Sequence, residues 1–156
     1  MKKLLIAILV FLVVFGCKAK VSDGKEYVGL KYLHCPEGLI EHAGCVIEGD
    51  YCLHYLSKGK IQMVWLEKIF KNSNGKVQYY QVLDAIVSPE IKENYIFSLC
   101  ASSINKKYDS TIVTYVEKSE ADYWKVLYAW KINLQKERFE KIKTDGITSM
   151  NTTFED

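Results

Sequence analysis

Arginine and proline are nearly missing from this 156-residue chain. Arg138 is its single arginine, so bidentate recognition of phosphate or carboxylate groups would rest on one side chain. Pro36 and Pro89 are the only prolines, and no repeat or low-complexity run is present, which excludes proline-rich and solenoid organisations. Long apolar runs are lacking as well. The longest, Leu4 to Phe15, spans twelve residues, and as a helix it reaches roughly 18 Å against a hydrocarbon core of about 30 Å. Catalytic signatures are absent: there is no Gly-x-Ser-x-Gly elbow and no His-Glu-x-x-His motif. Gly44 to Gly49 has the glycine spacing of a P-loop, but Asp50-Tyr51 stand where Lys and Ser/Thr are required. The carboxylate pairs Glu37/Glu41, Glu48/Asp50 and Glu117/Glu120/Asp122 are what 19 acidic residues produce on a solvated surface. The chain is expected not to be an enzyme and to carry no cofactor.

What is present begins with a leader. Lys2-Lys3, the apolar run and Gly16 form the basic, apolar and small-residue regions of a secretory signal. Val14-Phe15-Gly16-Cys17 resembles the lipobox of bacterial lipoprotein precursors. That resemblance, confined to residues 1–17, implies cleavage after Gly16, diacylation of the Cys17 thiol and acylation of its new amino group. Several acyl chains hold stably, because each buried methylene contributes about 0.8 kcal/mol. Lys18, rather than Asp, follows the cysteine, which implies the periplasmic side of the outer membrane if the source is Gram-negative. The expected division is a signal peptide over 1–16, lipidated Cys17 with a polar tether to residue 26, and one globular domain over 27–156.

Charge follows the same division. Of 21 basic residues, Lys2 and Lys3 leave with the signal, so 19 remain against 19 acidic ones. A nucleic-acid binder shows a strongly basic domain; here no excess exists, and nucleic acid is excluded as a partner. Hydrophobic residues at 49% and aromatics at 13% exclude disorder for the domain.

Alternation dominates the domain. Ile61, Met63, Trp65 and Ile69 share one side of a period-2 run, and Val77, Tyr79, Leu83, Ala85 and Val87 do so in the next. Asn72-Ser73-Asn74-Gly75 between them supplies residues that tolerate a hairpin turn. Ser88-Pro89-Glu90 ends the second run and is expected to start a short helical turn through Asn94. Tyr95 to Ala101 and Thr111 to Glu117 are further strand-like runs joined by a longer loop. Residues 119–134 fit a capped helix or a turn followed by a strand; the alternation Trp124, Val126, Tyr128, Trp130, Ile132, Leu134 outlasts the helical stripe and favours the strand. A last strand is expected from Phe139 to Lys143. The fold class is therefore mainly β, with α+β as the alternative: a single antiparallel sheet or meander with one or two short helical turns, stapled by disulfides.

With Cys17 lipidated, Cys35, Cys45, Cys52 and Cys100 remain, an even set for an oxidising compartment. Three connectivities are possible, and the expected one is Cys35–Cys45 with Cys52–Cys100. The same window holds His34, His42 and His54, so a zinc or copper site over 34–54 is the alternative, although no paired-ligand spacing supports it. Eleven tyrosines and three tryptophans suggest surface recognition. In the adjacent pairs Tyr79-Tyr80 and Tyr123-Trp124 one member faces away from the core in a strand, which nominates these four as partner-binding residues. The functional expectation is a lipid-anchored, non-enzymatic protein-binding module of the cell envelope, of the inhibitor or immunity type. A metal-binding envelope protein is second, and a structural envelope component third.

Overall fold

Strands whose side chains are apolar on both faces need a layer above and a layer below, and the middle of this chain consists of such strands. A computed structural model describes residues 23–153; the leader and Cys17 lie outside the described residues. After a 3-10 turn at Lys25–Tyr27 come β1 (Lys31–Tyr32), β2 (Ile40–Glu48), β3 (Tyr51–Lys58), β4 (Ile61–Lys71) and β5 (Val77–Val87). Then follow β6 (Tyr95–Ser98), β7 (Ser102–Ile104), β8 (Lys107–Tyr108), β9 (Ile112–Glu117), β10 (Tyr123–Asn133), β11 (Arg138–Ile142) and β12 (Ile147–Met150). The first sheet has the order β1-β5-β4-β3-β2, and the second β6-β9-β10-β12-β7-β8 with β11 also paired to β10. All pairings are antiparallel.

The principal core lies between the sheets. Leu53, Tyr55, Val64 and Leu66 of the first sheet pack against Tyr95, Phe97, Val113, Tyr115, Trp130 and Ile132 of the second. On the opposite, outer face of the first sheet, Leu56, Met63, Trp65, Val82 and Ala85 form another cluster. Its cover is the N-terminal segment, through Tyr27, Leu30, Tyr32, Cys35 and Leu39. Lys25 pairs with the buried Asp84, whose other oxygen accepts the Phe139 N–H at 2.8 Å, so this segment, β5 and β11 meet at one carboxylate. Within the second sheet, Ser98, Ser102, Thr114 and Ser149 are buried and satisfy one another: Ser149 bonds Ser98 at 2.9 Å and Ser102 bonds Thr114 at 3.3 Å.

The mainly β, antiparallel character matches the sequence reading, and β2 to β5 form the expected meander. The hairpin β4–β5 turns at Asn72–Gly75, where Gly75 has φ 76° and the Asn72 side chain accepts the N–H groups of Asn74 and Lys76. Residues 119–122 turn and β10 follows, as the alternation favoured. Several details differ. The strands divide between two sheets, because β6 to β12 bury their own inner face against the first sheet. A bulge in β5 between Val82 and Asp84 breaks the expected single face: Leu83 packs into the inter-sheet core, while Ala85 and Val87 face the outer cluster. No helical turn follows Pro89; among the described residues the single 3-10 turn lies at Lys25–Tyr27. The long loop between Ala101 and Thr111 contains the small hairpin β7–β8, and β12 was not anticipated.

The disulfide expectation is corrected. Cys45 bonds Cys100, and Cys35 and Cys52 are free thiols. Alternation is the reason. Cys45 is opposite Leu53 and so faces the inter-sheet core, whereas Cys52, opposite Val46, faces the outer side with Cys35. Only Cys45 looks toward the second sheet, where Cys100 follows β6. The bridge closes a loop of 55 residues, worth about 4 kcal/mol in the chain-entropy model. A Cys45→Ser, Cys100→Ser double variant is expected to lose about 2–5 kcal/mol of unfolding free energy in denaturant titration; an unchanged midpoint would refute a stabilising role for the bridge.

Candidate functional site

Burying a carboxylate without partners is costly, so a fully buried glutamate must be surrounded by donors. Glu67 is 0% exposed. The β3–β4 ladder sets Cys52 directly opposite Glu67, with His54 two residues farther along the same outer face. His54 Nδ1 lies 2.6 Å from Glu67 Oε2. Tyr32, brought over the sheet by β1, donates its hydroxyl to Glu67 Oε1 at 2.5 Å, and its oxygen is 3.0 Å from His54 Nδ1. The Cys52 thiol points at Glu67 Oε2 from 3.8 Å. Gly44 of β2 faces His54, and a Cβ there would come within 2.7 Å of the imidazole Cδ2. Glycine is what lets the ring lie against β2. Beyond the ring, Glu41 Oε1 is 3.8 Å from His54 Nε2, and the Tyr80 ring packs edge-on against the imidazole at 5.3 Å.

These contacts fix protonation. Burial pulls the His54 pKa down, but the hydrogen bond and charge of Glu67, with Glu41 adding, outweigh it and hold it above the ordinary value. The shift favours the charged form of the imidazole. Burial, followed by the Glu67 charge, pushes the Cys52 thiol up to about 12, and the same causes raise Tyr32 far above the usual phenol range. A thiol so held is a poor nucleophile.

A second feature is the side of the sandwich where β2 and β6 lie, each the terminal strand of its sheet. Cys45–Cys100 ties the two sheets there. A cleft of about 480 Å³ is lined by His42, Tyr55, Ser57, Gln62, Ile91 and Lys92 among others. It adjoins a smaller pocket of about 200 Å³ between residues 42–45 and 96–99, with Phe97 and Trp124 in its wall. His42 and Tyr55 line both. Their orientations are locked: His42 Nε2 is 2.7 Å from Ser57 Oγ, and its ring packs on Tyr55 at 4.8 Å. Tyr55 donates to Gln62 Oε1 at 2.7 Å, and Gln62 Nε2 donates to the Tyr95 carbonyl at 2.8 Å. Burial pushes the Tyr55 phenol up to about 12, so it remains a donor.

The residues nominated from sequence are dispersed. His34 is exposed in the loop after β1, His42 faces the cleft, and His54 faces the outer side, so the three histidines do not converge. Tyr79 stacks on Phe70 at 4.6 Å, while Tyr80 packs on Tyr32 and His54. Tyr123 is 59% exposed, and Trp124 is buried with its indole N–H on the Ser119 carbonyl at 3.1 Å. The two aromatic pairs therefore occupy different sheets, β5 and β10, rather than one face. Glu67 and Tyr32 escaped the sequence reading. Glu67 had a signal, an acidic residue directly after the apolar run Met63-Val64-Trp65-Leu66 at a position that shares its face with Trp65. Comparison with protein-family models, curated proteins and solved structures finds no match to this chain.

The buried pair makes stability depend on pH with a definite sign. Because the folded His54 pKa is raised, its contribution is complete below the ordinary value of 6.5 and is lost as pH rises through the folded pKa. In chelator-treated buffer, urea midpoints are expected to fall over that window. Glu67→Gln is expected to abolish the fall and to cost about 3 kcal/mol below it; a variant that keeps the wild-type pH profile would remove Glu67 as the cause.

Proposed function

We propose that this chain is a lipid-anchored, extracytoplasmic protein-binding module, of the inhibitor or immunity type, that docks an extended segment of its partner along the β2–β6 side. The observation that carries the reading is the edge of β2 with the smaller pocket between it and β6. A strand at a sheet edge presents unpaired backbone donors and acceptors, and an added strand gains affinity from them while neighbouring pockets select side chains. β2 is nine residues long and lacks the lysine or proline that commonly guards such an edge. Ile40 and Val46 project from it 61% and 63% exposed. Bulges between Glu41 and Ala43 and between Val46 and Glu48 leave regular strand at Ala43–Val46 beside the smaller pocket. The larger cleft adds a polar wall, with Lys92 and Glu93 at its rim.

Anchoring rests on residues 14–17, and the Cys45–Cys100 bridge suits an oxidising compartment. The membrane is met through the Cys17 lipid, at the periplasmic face of the outer membrane if the source is Gram-negative.

Val46→Lys and Ile40→Lys place gatekeeper charges on exposed positions and are expected to alter folding stability by no more than about 0.5 kcal/mol. Each should nevertheless weaken the partner complex, recovered by cross-linking from envelope extract and measured by calorimetry with the purified partner, by about tenfold or more. An affinity indifferent to both charges would exclude β2 as the docking edge. Failure to recover any reproducible partner would overturn the binding-module reading itself. Acyl labelling with radioactive palmitate should disappear in Cys17→Ser; retained label would refute the anchor.

A further inference from the structure

We propose that Cys52, His54 and Glu67 form a binding site for one borderline-soft divalent cation, Zn²⁺ by the chemistry of the donors, capped by the Tyr32 phenol oxygen. This inference rests on side chains of β3, β4 and β1 rather than on the free edge of β2, although Gly44 and Glu41 of β2 lie against His54. It also differs from a site built on the three histidines, of which it uses only one.

The donor set is one sulfur, one imidazole nitrogen and one carboxylate oxygen, all within 4.8 Å of one another. With zinc bonds of about 2.0–2.3 Å, ligands of a tetrahedral ion stand roughly 3.3–3.8 Å apart. Shifts of about an ångström or less therefore convert the cluster into a coordination sphere. The donors stand on two central, paired strands rather than on loops: Cys52 and Glu67 are cross-strand partners, and His54 shares their face. Tyr32 already places its oxygen against both His54 and Glu67, at 3.0 and 2.5 Å, which is the fourth corner. Outer support is present too. If Nδ1 binds the ion, Nε2–H points toward Glu41 Oε1, now 3.8 Å away, the carboxylate–histidine–metal arrangement that orients a ligating imidazole.

Charge bookkeeping favours the exchange. With His54 protonated and Glu67 ionised, the metal-free cluster carries no net charge. On binding, the imidazole Nδ1 and the Cys52 sulfur each give up a proton to water, and the divalent ion is balanced by one thiolate and one carboxylate. The buried region is neutral before and after, so the ion enters without leaving a net charge in the interior. The short Nδ1–H···Oε2 hydrogen bond is replaced by two metal bonds, and no oxidant or further reactant is required.

The test uses the full chain, purified in detergent without added thiol and stripped with chelator. Calorimetry with Zn²⁺ should show one equivalent bound, and Co²⁺ should give the near-ultraviolet charge-transfer band of a cobalt–thiolate bond. Cys52→Ser should lose that band and weaken Zn²⁺ by at least about tenfold, whereas Cys35→Ser should keep both. Zinc K-edge absorption on the unaltered protein, which needs no variant to fold, should show one sulfur neighbour among nitrogen and oxygen. No saturable binding, a shell without sulfur, or a cobalt band that survives Cys52→Ser would each overturn the site. None of these results bears on partner binding at β2, which Ile40→Lys, opposite Ser57 on the other face, addresses separately.

Discussion

β3 and β4 carry large apolar side chains on both faces, and a strand of that kind is stable only between two covers. The second sheet supplies one, through Phe97, Tyr115 and Trp130. The N-terminal segment supplies the other, through Tyr27, Leu30 and Tyr32. From this follow the layering, the long connection that takes the chain from β5 to β6, and the presence of Tyr32 above the sheet. Nothing about β1, two residues long, would hold that segment in place by hydrogen bonding alone. Trp65, 0% exposed and flanked by Tyr27 at 4.9 Å and Tyr32 at 5.8 Å, is the apolar anchor beneath it.

The outer cover also creates the chemistry. Tyr32 closes over Glu67 and His54, excluding water from a pair that would otherwise be an ordinary half-solvated contact on the sheet surface. Exclusion raises the stakes of each donor: a buried pair is neutral in cost only when every lone pair has a partner. Inter-sheet polar groups are handled differently, by short hydroxyl contacts among Ser98, Ser102, Thr114 and Ser149 that carry no charge. The hydroxyl network is thus uncharged, whereas the outer cluster brings a carboxyl, an imidazole and a thiol together.

Much of the secondary structure was legible because alternation is a local property. The Asn72–Gly75 turn, both hairpin strands and the strand after Ala121 could be read from their own residues. Sheet membership could not, since dividing β2–β5 from β6–β12 depends on which faces meet. The cysteines show the same limit. Their even number was visible, but pairing depended on register: with Cys45 opposite Leu53, the two strands send Cys45 and Cys52 to opposite faces. The bulge at Leu83 is a further case, because one extra residue reverses every face beyond it. The buried cluster was half legible. Cys52-x-His54 on a strand places two donors on one face, and only the ladder reveals that Glu67 stands opposite.

The Cys45–Cys100 bond has a mechanical consequence. A pull from the N-terminal end runs first through residues 24–39, which are held by the β1–β5 pairs, the bonds of Gly29 and Leu30 to Val82, the Lys25–Asp84 pair and side-chain packing. Strain reaching Cys45 then passes through sulfur to the second sheet and bypasses the rest of β2 and the β3–β5 meander. The cover is consequently loaded before the bridge, which shields residues 46–99 from the pull. Traction on the leading end would strain the cover over Cys52, His54 and Glu67 before it reached the sulfur link between the two sheets.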